Sequence, residues 1–204
     1  MSSRNKKKSS RGAHRKLPRP APGPAPAKPE QPAAGADGLP EVMIYTDGGC
    51  IDNPGPGGYG VVLLYRGHRK ELSAGFRRTT NNRMEIMAAI AGLDALKHRC
   101  RVTVYSDSQY LVNAIEEGWA KRWQEKGWWR NRQEKALNPD LWERLLALCA
   151  RHQVRFRWIR GHAGTAENER CDELAREAAL GKNQAVDELY ERTPPRDPAR
   201  LFWK

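Results

Sequence analysis

Four acidic residues stand at points of this sequence where their carboxylates could act together. Asp47 follows the apolar run at residues 42–45 and precedes a glycine-rich stretch, which is typical of a short buried strand that leads into a turn. Asp107 follows a second apolar run, at residues 102–105, in the same way. Because each acid follows a predicted strand, we expect both carboxylates at the carboxyl ends of the strands. In open α/β sheets, this is the edge where ligands bind.

Glu85 and Asp172 complete the group, since the pattern places Glu85 in the first turn of a helix and Asp172 in the last helix. Four carboxylates crowded at one edge would repel each other, and some would have to hold a proton. Two divalent cations would compensate the four charges, and oxygen ligands favour Mg²⁺ or Mn²⁺ over zinc. Because a pair of such ions is typical of phosphodiester hydrolysis, the sequence predicts a two-metal hydrolase.

Each carboxylate also has an alternative role that needs no metal. Asp47 could accept hydrogen bonds from the amides of the turn, and Glu85 and Asp107 could cap the helices near them. Asp172 could pair with Arg176 one turn along its helix. The combined placement of all four favours the metal site over four separate coincidences.

His162 lies between two glycines, in the segment Arg160-Gly161-His162-Ala163-Gly164, which predicts a mobile loop. Because imidazole exchanges protons near neutral pH, His162 could relay a proton beside the metal site. The alternative is a solvated loop histidine without a role in chemistry.

Composition divides the 204 residues into one domain between two tails. Residues 1–40 contain eight of the 14 prolines and nine Lys and Arg against two acids, a formal charge of +7. Such a stretch cannot bury enough surface to offset its ordering entropy, so we expect a disordered, extended tail. Residues 181–204 are expected to form a loosely attached second tail. The block 41–180 is long enough to bury a core.

The four cysteines lie far apart and form no C-x-x-C pair: Cys50, Cys100, Cys149 and Cys171. This spacing predicts neither a zinc site nor a disulfide framework and favours reduced thiols in the cytoplasm. The sequence has no apolar run of membrane-spanning length and no signal-peptide core, so we expect no association with membranes. We also expect a monomer. A mitochondrial or nuclear protein is the alternative for a eukaryotic source, although the prolines disfavour the amphipathic helix of a transit peptide.

Apolar patterning predicts an α/β fold. Strands are expected at residues 41–46, 59–65, 69–76, 101–106 and 154–159, and helices from Asn82, from Asp107-Ser108, from Asn138 and over residues 165–180. Asn82 and Glu85 have the spacing of a capping box at the start of the first helix. The order β-β-β-α-β-α-α-β-α predicts a five-stranded mixed sheet flanked by helices.

Residues 41–180 resemble type 1 ribonuclease H of the bacterial kind. The matching segments are residues 45–50, 53–60, 79–85, 106–110, 161–164 and 167–175, in family order. The resemblance implies a ribonuclease H-like fold and a metal-dependent endonuclease that hydrolyses the RNA strand of an RNA–DNA hybrid duplex. It also implies two Mg²⁺ ions, with Mn²⁺ as a possible substitute, and products with 5′-phosphate and 3′-hydroxyl ends.

The same resemblance implies a role for each site residue. Asp47 would bridge both ions, and Asp172 would hold the ion that activates the attacking water. Glu85 and Asp107 would hold the ion that stabilises the leaving 3′-oxygen. His162 would assist proton transfer or product release.

Substrate-binding residues are also implied by the resemblance. The residues that match contacts to sugars and bases in the minor groove are Asn53, Asn82 and Gln109. These contacts suit a protein that must sense 2′-hydroxyl groups, which distinguish RNA from DNA. The residues that match a pocket for a phosphate of the DNA strand are Arg78, Thr80 and Asn138. Helix capping is the alternative for Asn82 and Asn138.

The segment 119–135 interleaves aromatic and basic side chains. It contains Trp119, Trp123, Trp128 and Trp129, and its formal charge is +4. This interleaving favours contact with nucleic acid, and the segment resembles the basic protrusion of bacterial family members. We expect Trp119 to meet the DNA. The alternative is a solvated helical hairpin whose tryptophans belong to the core.

Two other functions remain as alternatives to the nuclease. A non-catalytic binder of RNA–DNA hybrid or double-stranded RNA could use the same surface, but clustered carboxylates would repel its ligand. Another nuclease of this fold, such as a transposase or a junction resolvase, would not be expected to share the segments 53–60 and 161–164.

The charge of the N-terminal tail predicts a salt-dependent contribution to binding. A flexible chain of this length spans roughly 35 Å, which reaches phosphates outside the active-site footprint. Deleting residues 1–38 should weaken hybrid binding at low salt and flatten its salt dependence, because fewer counterions are released. The saturated cleavage rate should stay nearly unchanged. Binding of both proteins across a salt series tests this, and identical slopes would show a tail that only solubilises or targets the protein.

Overall fold

A five-stranded mixed sheet forms the centre of the computed structural model, which describes residues 38–192. The strands are β1 (Glu41–Cys50), β2 (Gly55–Tyr65), β3 (His68–Thr79), β4 (Arg101–Ser106) and β5 (Gln153–Trp158). The helices are α1 (Asn81–Asp94), α2 (Gln109–Glu116), α3 (Trp119–Glu125), α4 (Pro139–Arg151), α5 (Ala166–Leu180) and α6 (Glu188–Arg192). The predicted fold class is confirmed. The expectations for residues 1–37 and 193–204 lie outside the described residues.

The sheet has the order β3-β2-β1-β4-β5. Strand β2 is antiparallel to both of its neighbours, β1 and β3, as the predicted meander requires, whereas β1, β4 and β5 run parallel. The parallel pairing ends where Thr46 lies opposite Ser106 and where Ser106 lies opposite Trp158. Asp47 and Asp107 follow these last pairs, so their backbones lie at one edge of the parallel part of the sheet.

Strands β1 and β2 are longer than the sequence pattern predicts. β1 continues beside β2 as far as Cys50, and β2 already begins at Gly55. The glycine-rich stretch is therefore mostly strand, and the turn is confined to residues 51–54. The reason lies across the sheet: an added Cβ at Gly60 would lie 2.1 Å from the carbonyl oxygen of Cys171 in α5. Glycine in this stretch therefore allows α5 to approach the sheet closely, and it does not mark a turn.

Helices cover both faces of the sheet, and the alternation of β1 divides the core between them. Ile44 points to the larger cluster, which α1, α2 and α4 share with the sheet through residues such as Ile86, Leu111 and Trp142. Tyr45 points to the opposite face, where it packs with Val62, Cys171 and Leu174. The central strand thus has apolar contacts on both sides, which fixes its position and that of the carboxylate that follows.

The structure differs from the expectation of a loosely attached tail for residues 181–192. Ala185 forms a bridge with Phe76 of β3, and Asp187 is buried. The short helix α6 follows it. Sequence patterning missed this attachment because it depends on polar contacts with β3 and α1, which leave no apolar periodicity.

All four cysteines are free within the described residues. Cys100 and Cys171 are buried, and the Cys171 thiol donates to the Tyr45 carbonyl oxygen at 3.2 Å. Within residues 38–192, no helix has the length and apolar character needed to cross a membrane.

The close approach of α5 to the sheet gives a testable prediction. Gly60→Ala should lower the free energy of unfolding by about 1–3 kcal/mol, because its methyl group would collide with the backbone of α5. Gly49→Ala is the matched control, since an added Cβ there meets no described atom within 4 Å. Urea unfolding of both variants measures the difference. Equal stability of the two variants would contradict the packing described above.

Candidate active site

One cavity at the edge of the parallel strands collects three of the four acidic residues. Its volume is about 310 Å³, and its lining includes Asp47, Asp107, His162 and Asp172 together with residues 48–51. Glu85 adjoins this group, because its backbone nitrogen would lie 2.6 Å from a Cβ added at Gly48 and its Oε2 lies 2.5 Å from the hydroxyl of Ser108, the residue after Asp107. Residues from β1, α1, the end of β4, the loop after β5 and α5 therefore meet at one place.

Asp47 is the central carboxylate of the group. Burial raises its pKa to about 7, with further contributions from Asp107 and then Asp172, whereas nearby His162 acts in the opposite direction. Its Oδ1 accepts a hydrogen bond from the Gly48 amide at 2.6 Å, which favours the charged form. Asp47 thus makes the hydrogen bond to a local amide that its alternative role predicts. It also lies close to other acids, as a carboxylate of a metal site would.

Glu85 reaches Asp47 because α1 lies directly against β1. An added Cβ at Gly48 would lie 2.4 Å from the Met84 carbonyl carbon and 2.6 Å from the Glu85 nitrogen, so only glycine allows this approach. Burial raises the pKa of Glu85 to about 7, Asp107 and Asp47 raise it further, and a hydrogen bond from Ser108 opposes the shift. The Ser108 hydroxyl donates this bond to Oε2 at 2.5 Å.

The capping roles considered for Glu85 and Asp107 are wrong. Helix α1 begins at Asn81, and Thr80 occupies the N-cap position, with no side-chain capping bond from Thr80. Helix α2 is capped by Ser108, whose Oγ accepts from the Leu111 amide at 3.2 Å. Ser108 was not identified as a site residue from sequence, although its place directly after Asp107 was the available signal. Asp107 is left to line the cavity, and the Glu85 carboxylate accepts its hydrogen bond from Ser108 beside it.

Asp107 is held by the last residue of β5 and by the loop that follows this strand. Its carbonyl oxygen accepts a hydrogen bond from the indole nitrogen of Trp158 at 3.0 Å. Gly161 packs so closely that an added Cβ would lie 2.6 Å from Asp107 Oδ2. The sequence did not point to Trp158, since an exposed tryptophan at a strand end carries no distinctive pattern.

Asp172 and His162 lie at the more open side of the cavity. Asp172 projects from α5, and Arg176 Nη2 lies 3.4 Å from its Oδ2, so the pair expected as the alternative role is present. Such an exposed pair contributes little, on the order of 0.3–0.5 kcal/mol. His162 is exposed, with a left-handed φ of 51°, in the loop between β5 and α5. Its imidazole is therefore accessible from solvent and close to the carboxylates.

The donor set fits divalent cations that prefer oxygen ligands. Within residues 38–192, no three His, Cys, Asp or Glu side chains converge closely enough to hold one ion between them. Mg²⁺ typically binds one or two protein carboxylates and completes its coordination with water and substrate phosphates. Burial and, after it, repulsion from neighbouring acids raise the pKa values of Asp47 and Glu85, and a bound cation would offset both effects.

The residues predicted to contact sugars and bases lie on three segments of the chain. Asn53 lies in the turn between β1 and β2, where its Oδ1 accepts from the Asn81 amide at 3.3 Å. Asn82 is the second residue of α1, and Gln109 begins α2. Asn81, which sequence analysis missed, ties α1 to β1 because its Oδ1 accepts from the Cys50 amide at 2.8 Å.

The residues predicted to bind a DNA phosphate lie around the junction of β3, α1 and α4. Arg78 is exposed near the end of β3, and Thr80 follows that strand. Asn138 precedes α4 with a left-handed φ of 57°, and its Oδ1 accepts from Arg83 Nη1 at 3.4 Å. It makes no side-chain capping bond, so the alternative of a helix-capping side chain is wrong for Asn138.

Both interpretations of the segment 119–135, nucleic-acid contact and a contribution to the core, agree with parts of it. Helix α3 covers its first part, and Trp123 packs against Tyr110 and Trp142. Trp129 is exposed, with the Lys135 ammonium 5.4 Å from its ring centroid. Trp119 lines a second cavity of about 320 Å³ together with Trp123, Arg130 and Lys135. Some tryptophans thus contribute to the core, whereas others face the surface beside basic side chains.

Comparisons with known proteins agree with this architecture. Residues 40–180 match the family model described as RNase H. A ribonuclease H of Syntrophus aciditrophicus is 66% identical over 166 residues, which cover 80% of this chain and 96% of that protein. A ribonuclease H of Desulforamulus reducens is 66% identical over 149 residues, which cover 73% of this chain and 94% of that protein.

Solved structures show the same similarity. The crystal structure of LC9-RNase H1, a type 1 RNase H with the type 2 active-site motif, is 33% identical with a TM-score of 0.64, and the match covers 80% of this chain and 84% of that one. The crystal structure of LC11-RNase H1 in complex with an RNA/DNA hybrid is 27% identical with a TM-score of 0.53, and that match covers 68% and 96%.

Crowding of the carboxylates predicts a pH-dependent change in stability. The folded-state pKa of Asp47 is raised to about 7, so its charge destabilises the metal-free fold increasingly as pH rises from about 4 to 7. Asp47→Asn should therefore stabilise the metal-free protein by about 1–3 kcal/mol above pH 7 and have little effect near pH 4. Asp52→Asn, at an exposed position, is the control. Thermal unfolding in chelator measures both, and a pH-independent effect of Asp47→Asn would contradict the prediction.

Proposed function

This chain belongs to the ribonuclease H family, and we propose that it cleaves the RNA strand of RNA–DNA hybrids by two-metal-ion catalysis, leaving 5′-phosphate and 3′-hydroxyl ends. The observation that carries the proposal is the single cavity lined by Asp47, Asp107, His162 and Asp172, with Glu85 beside it. High identity to ribonucleases H over most of their length supports the enzyme class.

The electrostatics of the site support a division of the carboxylates into two groups. Asp107 and Asp172 both act on Asp47, whereas Glu85 is influenced by Asp107 and Asp47. Asp47 therefore suits a ligand shared by two ions, with Glu85 and Asp107 on one side and Asp172 on the other. The chemistry that two bound Mg²⁺ or Mn²⁺ ions supply is activation of water and charge stabilisation at the leaving 3′-oxygen.

His162 suits the role of a proton carrier for this reaction. It lies beside Asp47 at the solvent-accessible side of the cavity. From there its imidazole can take a proton from the site and release it to water, which is general acid–base catalysis. Release of product is the alternative step that the loop position supports.

Substrate recognition follows from the surfaces next to the cavity. Asn53, Asn82 and Gln109 suit contacts with the sugars and bases of the minor groove, where 2′-hydroxyl groups mark the RNA strand. The residues that suit DNA contacts are Arg78, Thr80, Asn138 and Trp119. The solved hybrid complex of LC11-RNase H1 supports a hybrid as the ligand of this fold. Four free cysteines favour a reducing compartment, the cytoplasm, and we expect the enzyme to act as a monomer.

A non-catalytic binder of the same duplexes is the weaker alternative. Its surface would need positive charge alone, because phosphates are repelled by carboxylates. Here, burial and mutual repulsion raise the pKa values of Asp47 and Glu85, a cost that binding without a metal would not offset.

The direct test is cleavage of an end-labelled RNA–DNA hybrid with Mg²⁺ or Mn²⁺. We expect cuts in the RNA strand only, 5′-phosphate and 3′-hydroxyl products, and loss of activity in chelator. Duplex DNA of the same sequence should remain intact, because it lacks 2′-hydroxyl groups. Equal cleavage of duplex DNA, or full activity in chelator, would contradict the proposal.

Two substitutions separate the roles within the site. Asp47→Asn should abolish turnover while hybrid binding persists, because a shared metal ligand is lost. His162→Ala should slow cleavage by about a hundredfold without abolishing it, since water can relay the proton less efficiently. Single-turnover rates measure both, with Asp52→Asn and His68→Ala as exposed controls. Substantial turnover by Asp47→Asn would leave Asp47 as a residue of the turn only.

A further inference from the structure

A buried network of charged groups joins the C-terminal part of the described chain to the starts of α1 and α4. Arg83 and Asp187 are each 3% exposed. Arg83 donates to Asp187 through Nε at 2.6 Å and Nη2 at 2.8 Å. It also donates to Asp140 through Nη1 at 3.1 Å and Nη2 at 2.9 Å. One guanidinium thus connects α1, α4 and the residue that precedes α6.

The hydrogen bonds of Arg83 leave it no capacity to bind a substrate phosphate. A guanidinium has five N–H donors. Four are used by the two carboxylates, and the fifth bond goes to Asn138 Oδ1 at 3.4 Å. The two carboxylates also outweigh its single positive charge. Arg83 is therefore a connector whose geometry is fully determined by its partners.

The same network contacts Asn138 of the predicted DNA-phosphate pocket directly and reaches Arg78 and Thr80 through Thr79. Asp187 Oδ2 accepts a hydrogen bond from Thr79 Oγ1 at 2.8 Å, and Thr79 lies between Arg78 and Thr80 in the chain. On the other side, Arg83 binds Asn138 directly. Arg83 is thus hydrogen-bonded to one pocket residue, Asn138. Asp187 is hydrogen-bonded to Thr79, the chain neighbour of the other two.

Residues 184–191, which we call the C-terminal strap, also pair with the exposed edge of the sheet. The Ala185 amide donates to the Gly75 carbonyl oxygen at 2.7 Å, and the Arg77 amide donates to that of Ala185 at 3.0 Å. Arg77 and Glu191 form an ion pair at 2.7 Å. Since β3 is an edge strand, the C-terminal strap supplies hydrogen-bond partners that its end would otherwise lack.

We propose that the C-terminal strap holds Arg78, Thr80 and Asn138 in the arrangement that binds a phosphate of the DNA strand, with Asp187 and Arg83 as positioning residues. This inference rests on the proposed function, because the pocket is meaningful only for a nucleic-acid substrate. Loss of Asp187 leaves a buried guanidinium with one carboxylate partner and frees Thr79, so the end of β3 and the start of α4 are no longer tied together.

The test compares Asp187→Asn and Thr79→Val with the wild-type protein in steady-state cleavage of a hybrid. Asp187→Asn removes the charge, and Thr79→Val removes only one hydrogen bond, so one informative variant remains if the other folds poorly. We expect KM to rise about threefold to tenfold, with kcat nearly unchanged, because the carboxylates of the active site are untouched. A wild-type KM in folded Asp187→Asn and Thr79→Val would overturn the proposal.

A stability control separates positioning from general destabilisation. Leu93→Ala removes a fully buried side chain near the far end of α1 and should lower stability while leaving KM unchanged. Circular dichroism at the assay temperature confirms that each protein is folded. If KM in all variants follows stability alone, including Leu93→Ala, the C-terminal strap has only a structural role and the proposal fails.

A double-mutant cycle identifies the pocket as the site of the effect. If Asp187 acts through Arg78, the variant Arg78→Ala/Asp187→Asn should have nearly the KM of Arg78→Ala alone. A DNA strand with one neutral methylphosphonate at the contacted position should likewise remove the difference between wild type and Asp187→Asn. Additive effects would overturn the proposal. Absence of hybrid cleavage by the wild-type protein would instead refute the proposed function, so the two failures are distinguishable.

Discussion

Repulsion among carboxylates at one edge of the sheet is the constraint that the rest of this structure accommodates. Asp47 and Glu85 are partly withdrawn from water and lie near other acids, which makes their charged forms unfavourable. The Gly48 amide and the Ser108 hydroxyl offset only part of this cost. A site of this kind is stable as a charged cluster only when cations contribute positive charge. The crowding that costs stability is therefore also what favours the binding of cations.

Close backbone packing is what makes such crowding possible. β1 lies in the middle of the sheet, with α1 against one face and α5 against the other. Gly48 lets the first turns of α1 approach Asp47, and Gly60 lets α5 approach the paired strand. Side chains at these two positions would push the helices outward and separate Glu85 and Asp172 from Asp47. The glycines therefore determine distances between acids that lie far apart in the chain.

Sequence patterns predicted the parts of this protein that depend on local periodicity. The five strands, the main helices and the four acids followed from apolar runs and their ends. Contacts between distant polar residues had no local signal, so the pairing of Arg83 with Asp187 and the attachment of residues 184–191 were missed. The glycine-rich stretch was assigned to a turn because its packing partner, α5, lies far along the chain. Trp158, which holds Asp107, was missed because its contact lies far along the chain, whereas Ser108, which binds Glu85, had a signal in its place directly after Asp107.

The sequence positions of the site residues also determine when a growing chain can acquire the site. Tyr45, which precedes Asp47 by two positions, is in contact with Cys171, which directly precedes Asp172. These two contacting residues are 126 positions apart in the chain. Since the chain is synthesised from its N-terminus, β1 to β5 leave the ribosome before α5 does. Until then, one face of the central strand lacks its helix and the cavity lacks one wall. A nascent chain that lacks α5 therefore carries three of the acids without an assembled site. The site can assemble only after α5 has been synthesised.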